Sequence, residues 1–176
     1  MFCWRREILA IKEMPLEEKY DKLYDFYVFE HATNYAFHKE QGTLDKFVDY
    51  YVEAFRKSMP SLMGSVVKLM KTLSPGRTLK QAINQFAYMM QMMQPLADIQ
   101  LSWTSDREVV MKIKNCEGAR RGKEAIRKAD LNITPREMCE IEKQMHFHPR
   151  HPVQQMGMDV TCDLEENGCK WTYKLK

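Results

Sequence analysis

The sequence predicts an α+β fold, in which a helical N-terminal half packs on an antiparallel sheet made of two hairpins with two intervening helices. Two observations carry this prediction. Over residues 16–95, apolar side chains recur every three or four positions, which is the period of an amphipathic helix. Over residues 96–176, two stretches alternate with a period of two, which is the period of a strand. Because no linker or internal repeat separates the halves, residues 1–176 are expected to form a single domain.

Three helices are expected first. The first covers residues 16 to about 39 and carries tyrosines and histidines along one face. Gly42 ends this helix, and the second helix continues to Met59, where Pro60 stops or kinks the chain. A short third helix is expected over residues 62–73 because its apolar positions keep the helical spacing.

The fourth helix and the first hairpin follow. Thr78 is predicted as the N-cap of this helix, which runs to Gln94 before Pro95. Apolar and polar residues then alternate over 99–103 and again over 109–113, with turn-forming residues between them. This change of period indicates a pair of antiparallel strands.

Two more helices are expected between the hairpins. The first runs from Gly118 to Ala129, and its basic residues at 120–123 indicate a solvated face. Thr134, Pro135 and Glu137 predict the start of the next helix, because Thr can cap it, Pro fits its first position and Glu can close a capping box.

The chain closes on a second hairpin. Its strands are expected over residues 156–164 and 169–175, where apolar residues alternate with polar ones. The turn between them is expected over Glu165-Glu166-Asn167-Gly168, since an Asn-Gly pair readily adopts positive φ. All four strands are expected to form one sheet with helices on one face.

Composition and charge exclude several classes of protein. Apolar residues make up 44% of the chain and charged residues 29%, a balance typical of a globular protein. The formal net charge of +3 is too small to indicate nucleic-acid binding by itself. No apolar run approaches the roughly 18 residues of a membrane span. The first residues lack the apolar core of a secretion signal, so a cytoplasmic location is expected.

Three cysteines near the C-terminus predict a metal site. The hairpin turn can bring Cys162 and Cys169 together, and Cys139 on the preceding helix can join them. Thiolates bind Zn²⁺ in tetrahedral sites whose fourth ligand is a Cys, a His or a carboxylate. The alternative is that these cysteines are small buried apolar residues.

The same hairpin carries a resemblance to a known family. The segment 158–173 reads MDVTCDLEENGCKWTY and resembles the closing motif of the 4-vinyl reductase domain superfamily. That motif has an acidic residue, then a Cys, a short turn with Gly, a second Cys and an aromatic residue. The resemblance implies a domain that binds small hydrophobic molecules and holds zinc, with Cys139, Asp159, Cys162 and Cys169 as the ligands.

The chain departs from the motif near two of these ligands. A glycine-rich stretch of the family is replaced here by residues 140–143, Glu-Ile-Glu-Lys. Asp159 stands where the family has the longer Glu, and an ideal strand would place it on the opposite face from Cys162. His146 or His148 could substitute for Asp159, since imidazole is a common zinc ligand. The alternative is that residues 146–151 form a solvated loop stiffened by proline.

The resemblance extends over residues 99–176 and also includes aminothiazoline-carboxylate hydrolase-like proteins. That second likeness implies a hydrolase that uses a metal-bound water or the thiolate of Cys116. Cys116 ends a strand and opens a helix, where the pKa of a thiol can be lowered. The alternative is a plain buried cysteine.

Apolar and aromatic residues of the helical half are candidates for a ligand pocket. Such pockets are mostly apolar with a few polar groups. The candidate ligand-binding residues are Tyr27, His31, Phe86, Met90 and Met93. At helical spacing, such a stripe can equally belong to the core.

Three functions follow from these observations. The first is a binding domain for a small hydrophobic or tetrapyrrole-like molecule, in which zinc closes the pocket. The second is the hydrolase described above. The third is a homodimeric assembly or adaptor protein that works through an apolar helix face.

Overall fold

The computed structural model describes residues 15–58 and 75–176, and it confirms the α+β class. The helical half precedes the strands, and two hairpins form one antiparallel sheet. In chain order the elements are α1 (Leu16–Glu40), α2 (Leu44–Ser58), α3 (Pro75–Met93), β1 (Asp98–Ser105), β2 (Glu108–Lys114), α4 (Glu117–Ala129), α5 (Pro135–Phe147), α6 (Pro152–Gln155), β3 (Met158–Glu165) and β4 (Gly168–Leu175).

The helices differ from the sequence prediction in two places. The helix expected over residues 62–73 lies outside the described residues. Helix α3 already includes Pro75, which a first helical turn tolerates, so Thr78 lies within the helix and is buried there. The predicted capping role of Thr78 is therefore wrong.

The start of α5 matches the sequence prediction in detail. The Thr134 side chain accepts a hydrogen bond from the Glu137 backbone N–H at 3.1 Å. The Glu137 carboxylate accepts one in return from the Thr134 backbone N–H at 2.8 Å. Together with Pro135 at the first position, this reciprocal pair is a complete capping box.

The strand order β1-β2-β4-β3 places both hairpins in one sheet, joined where β2 pairs with β4. Met111 lies opposite Trp171 in that pairing, and Trp171 lies opposite Cys162 in the next. Their side chains therefore share one face of the sheet. Gly168 allows the close approach of β2 and β4, because a Cβ atom there would lie 1.9 Å from the Ile113 carbonyl oxygen.

Two hydrophobic cores hold the elements together. The larger one fills the inner face of the sheet beneath α3 and contains Leu79, Met111, Met158 and Tyr173, each almost fully buried. The smaller one joins α1, α2 and α5, and its buried residues are Tyr35, Ala36, Val48, Val52, Ile133, Ile141 and Met145. Helix α4 packs along α1, and its Ile126 lies against the smaller core.

The approach to β3 also differs from the prediction. Residues 152–155 form the short helix α6, which begins at Pro152. Met156, expected as the first strand residue, instead caps the end of α6, and Gly157 turns the chain at φ +76° before β3 begins at Met158. Within residues 15–58 and 75–176, no helix has the length and apolar character that crossing a membrane requires.

Candidate functional site

A cleft of about 170 Å³ opens between α1 and α2. Four of its lining residues come from α1 at helical spacing, so they share one face of that helix, and two come from the facing turns of α2. The lining residues are Tyr27, Glu30, His31, Asn34, Phe47 and Tyr51. The walls are therefore mainly aromatic, with three polar side chains among them.

The aromatic rings hold the imidazole of His31 in place. The Tyr27 ring centroid lies 4.2 Å from that of His31, and the Tyr51 ring meets His31 edge-on at 5.9 Å. The Tyr27 and Tyr51 hydroxyls interact electrostatically with each other, one from α1 and one from α2. Burial raises the pKa of Tyr27, and its neighbours Tyr51 and Glu142 raise it further. Both phenols are thus neutral at physiological pH.

Behind the imidazole lies a polar cluster formed by His31, Tyr35 and Glu142, the last contributed by α5. The Tyr35 hydroxyl donates to Glu142 Oε1 at 2.5 Å. His31 Nδ1 lies 3.0 Å from that hydroxyl oxygen and 3.6 Å from Glu142 Oε1. The site therefore places a carboxylate, a phenol and an imidazole in contact behind the aromatic walls.

Glu142 is ionised in this cluster. Desolvation acts to raise the pKa of its carboxyl, but the hydrogen bonds from His31 and Tyr35 outweigh this effect, so the pKa lies below its ordinary value. Burial raises the pKa of Tyr35, and the negative charge of Glu142 raises it further. The cluster thus combines a charged carboxylate with a phenol that keeps its proton.

The structure brings together two of the five residues predicted for ligand binding. Tyr27 and His31 line the cleft. Phe86 and Met90 instead pack against the sheet core, and Met93 is largely exposed on α3. These three residues lie away from the α1–α2 cleft because α3 covers the sheet rather than α1.

The candidate ligand-binding residues did not include six residues of the site, of which Glu30, Asn34 and Tyr35 lie on α1. Phe47 and Tyr51 belong to the apolar stripe of α2, but a periodic stripe does not reveal which residues line a gap. Glu142 lies 107 positions after Tyr35, and no local pattern links the two. Only the packing of α5 against α1 and α2 shows that the three elements share a site.

The predicted zinc site is wrong. Asp159 lies on the outer face of the sheet, where it forms an ion pair with Lys176 at 3.0 Å, whereas Cys162 is buried on the inner face. Alternation along β3 separates the two side chains, because no bulge interrupts its register with β4. In the described part of the chain, no group of three or more His, Cys, Asp or Glu side chains is arranged to hold a metal ion.

The predicted substitutes for Asp159 are engaged elsewhere. His146 Nδ1 donates to the Glu142 carbonyl oxygen of its own helix at 2.9 Å, and its ring packs on Trp171. His148 Nε2 lies 2.7 Å from Asp49 of α2. Neither imidazole joins a ligand set with the cysteines.

Cys162 and Cys169 belong to the larger hydrophobic core. Cys162 and Cys169 contact each other through their thiols, and Cys169 Sγ also accepts a hydrogen bond from Trp171 Nε1–H at 3.0 Å. Burial raises the pKa of Cys139 to about 11. These contacts agree with the alternative that treated the cysteines as small apolar side chains.

Cys116 occupies the N-cap position of α4 and donates its S–H to Gln94 Oε1 at 3.3 Å. Burial raises the pKa of this thiol, although the backbone N–H groups of Ala119 and Gly118 act in the opposite direction. The helix N-terminus therefore does not produce the lowered pKa that a nucleophilic thiolate requires.

The basic run of α4 is not a uniformly solvated face. Arg121 is buried and forms ion pairs with Asp25 at 2.6 Å, Asp21 at 2.8 Å and the buried Glu117 at 3.2 Å. Its guanidinium also lies over the ring of Tyr24. Arg121 thus joins α1 to α4.

Comparison with family models, with curated proteins and with solved structures gives no match. The resemblance to the 4-vinyl reductase domain superfamily therefore remains a prediction from the closing hairpin. The function has to be inferred from the geometry of the cleft and its neighbouring groups.

Proposed function

We propose that this protein binds a small, mostly apolar molecule in the cleft between α1 and α2. The observation that carries the proposal is the concentration of Tyr27, His31, Phe47 and Tyr51 around one open volume of about 170 Å³. Mostly aromatic walls with a few polar groups are typical of small-molecule sites. A flat ring that enters the cleft would stack on these side chains.

The size of the cleft narrows the class of ligand. Sites for drug-sized molecules enclose roughly 300–1,000 Å³. A cleft of about 170 Å³ therefore favours a molecule of one or two fused rings over a tetrapyrrole. The binding function requires no zinc, since the walls come from helices α1 and α2.

Binding is tested with indole as the probe, by two-dimensional NMR titration of the full chain. Tyr51→Ala removes a wall of the cleft, and we expect it to raise the dissociation constant about tenfold, since it removes apolar area and ring stacking. Tyr50→Ala is the matched control, because Tyr50 is adjacent in sequence but 74% exposed.

Two results support the proposal: saturable shifts at residues around the cleft, and loss of affinity in Tyr51→Ala alone. The same affinity in both variants, or shifts centred elsewhere, would contradict it.

A second candidate function, assembly as a homodimer, is favoured by the outer face of α1. Leu23, Phe26 and Phe37 share this face and are between 55% and 69% exposed in the described structure. We propose a second copy of this chain as the occupant. In an antiparallel pair of α1 helices, the exposed Lys19 of one copy would lie opposite the exposed Glu40 of the other.

Sedimentation velocity tests this second proposal. The unmodified chain is expected to sediment as a dimer and Phe26→Glu as a monomer, since the substitution places a charge in the apolar contact. Tyr88→Glu, at an exposed aromatic residue of α3, should leave the dimer intact. A monomer for the unmodified chain would exclude the homodimer.

A further inference from the structure

The positions of the protons behind the cleft follow from the chemistry of the three groups. An ionised carboxylate only accepts hydrogen bonds, so the Tyr35 hydroxyl proton points to Glu142 Oε1. The hydroxyl group of a tyrosine carries one proton. Once that proton is used, the Tyr35 oxygen can only accept a hydrogen bond.

This arrangement determines the tautomer of His31. Both oxygens that face its Nδ1, those of Tyr35 and Glu142, are acceptors. Nδ1 must therefore carry a proton, since an unprotonated nitrogen would place its lone pair against two oxygen lone pairs. In the neutral imidazole, Nε2 is then the unprotonated nitrogen and a hydrogen-bond acceptor.

Nε2 lies on the opposite edge of the ring from Nδ1, and His31 lines the cleft. Residues 15–58 and 75–176 provide no hydrogen-bond donor for Nε2, whereas Nδ1 is engaged. The ring contacts with Tyr27 and Tyr51 hold the imidazole in this orientation. Nε2 is therefore the ring nitrogen that the contacts with Tyr35 and Glu142 leave as an acceptor.

We propose that His31 Nε2 accepts a hydrogen bond from the bound molecule, so that the cleft selects ring compounds with an N–H or O–H group. The selection rests on the proposed binding function and names the ligand class for the same site. Tyr35 and Glu142 are positioning residues, because they fix the tautomer of His31 from behind the ring.

Two probes of nearly equal shape test the selection. Indole carries an N–H donor, and benzothiophene has sulfur at the same place. The unmodified protein is expected to bind indole about two- to tenfold more tightly, which is the range for one net hydrogen bond. His31→Phe keeps a ring at this position but removes the acceptor, so it should bind both probes equally.

The tautomer is measured separately from the ¹⁵N chemical shifts of the His31 ring at a pH where it is neutral. We expect a proton on Nδ1 and none on Nε2. Tyr35→Phe removes the hydroxyl that Nδ1 contacts, and it should shift His31 toward a mixture of tautomers. A merely structural role for Tyr35 would leave these shifts unchanged.

The outcomes separate the two proposals. Equal affinity of the unmodified protein for both probes, or a proton on Nε2, would overturn the selection and leave the binding function intact. Failure of both probes to bind would contradict the binding function itself, and the selection with it.

Discussion

Arg121 illustrates how much depends on single side chains in this fold. Its ion-pair partners Asp21 and Asp25 precede it by 100 and 96 positions, so no local pattern could reveal them. Neighbouring basic residues in the sequence predicted a solvated face, and Arg120 does lie on one. The two adjacent arginines therefore have opposite environments, which only the packing of α4 on α1 determines.

We predict that Arg121→Met destabilises the fold by about 3–5 kcal/mol, because it leaves the buried Glu117 carboxylate without its cation. Arg120→Met is the control, since Arg120 is exposed and, among the described residues, forms its ion pair with Glu124 at 3.4 Å. Urea unfolding measures both. A loss of less than about 1 kcal/mol in Arg121→Met would show that this network does not hold α4 on α1.

His151 predicts a dependence of stability on pH. Burial lowers its pKa to about 3, and the charges of His146 and His148 contribute. The unfolded chain binds a proton at this residue near pH 6.5, whereas the folded chain does not, so the free energy of unfolding falls as the pH decreases from about 6.5 toward 3. The slope reaches about 1.4 kcal/mol per pH unit.

His151→Asn should flatten this part of the stability profile, because Asn keeps an N-cap acceptor for α6 but does not titrate. Urea unfolding at pH values from 7 to 4 measures the difference. An unchanged slope in the variant would mean that His151 is protonated in the folded state.

At the scale of elements, the sequence predicted those features whose contacts are made between residues close together in the chain. The capping box of α5 was predictable, because neighbouring residues supply all of its contacts. The place of the second hairpin turn was predictable too, but Glu166 and Asn167 form it, and neither Asn167 nor Gly168 adopts the expected positive φ. The first residue of β3 could not be predicted from local signals. Met156 fits the alternation of apolar and polar residues along the strand, yet it ends helix α6. The predicted zinc ligand set failed because β3 continues its alternation through Asp159 and Cys162 and so separates their side chains.

The close pairing of β2 and β4 at Gly168 allows a prediction about the stability of the sheet. Gly168→Ala would place a Cβ atom 1.9 Å from the Ile113 carbonyl oxygen, and backbone atoms can yield only if the strands separate. We expect a loss of about 1–3 kcal/mol, the usual cost of overpacking. Thermal unfolding followed by circular dichroism measures it. An unchanged melting temperature would contradict the close approach of the strands.

At the scale of the whole molecule, α1 is the element on which both the fold and the candidate site depend. It packs on α4 through the Arg121 network, and it forms the cleft with α2. The sequence predicted α1 and two of its cleft residues, Tyr27 and His31. The cleft itself could not be predicted, because its shape depends on how α2 and α5 pack against α1.

The central claim is that the cleft between α1 and α2 is a binding site for a small aromatic molecule. A crystal structure of the protein soaked with indole tests it most directly. We predict an indole ring between Tyr27, Phe47 and Tyr51, with its N–H within hydrogen-bond distance of His31 Nε2. An empty cleft in crystals where indole occupies another part of the molecule would contradict the claim.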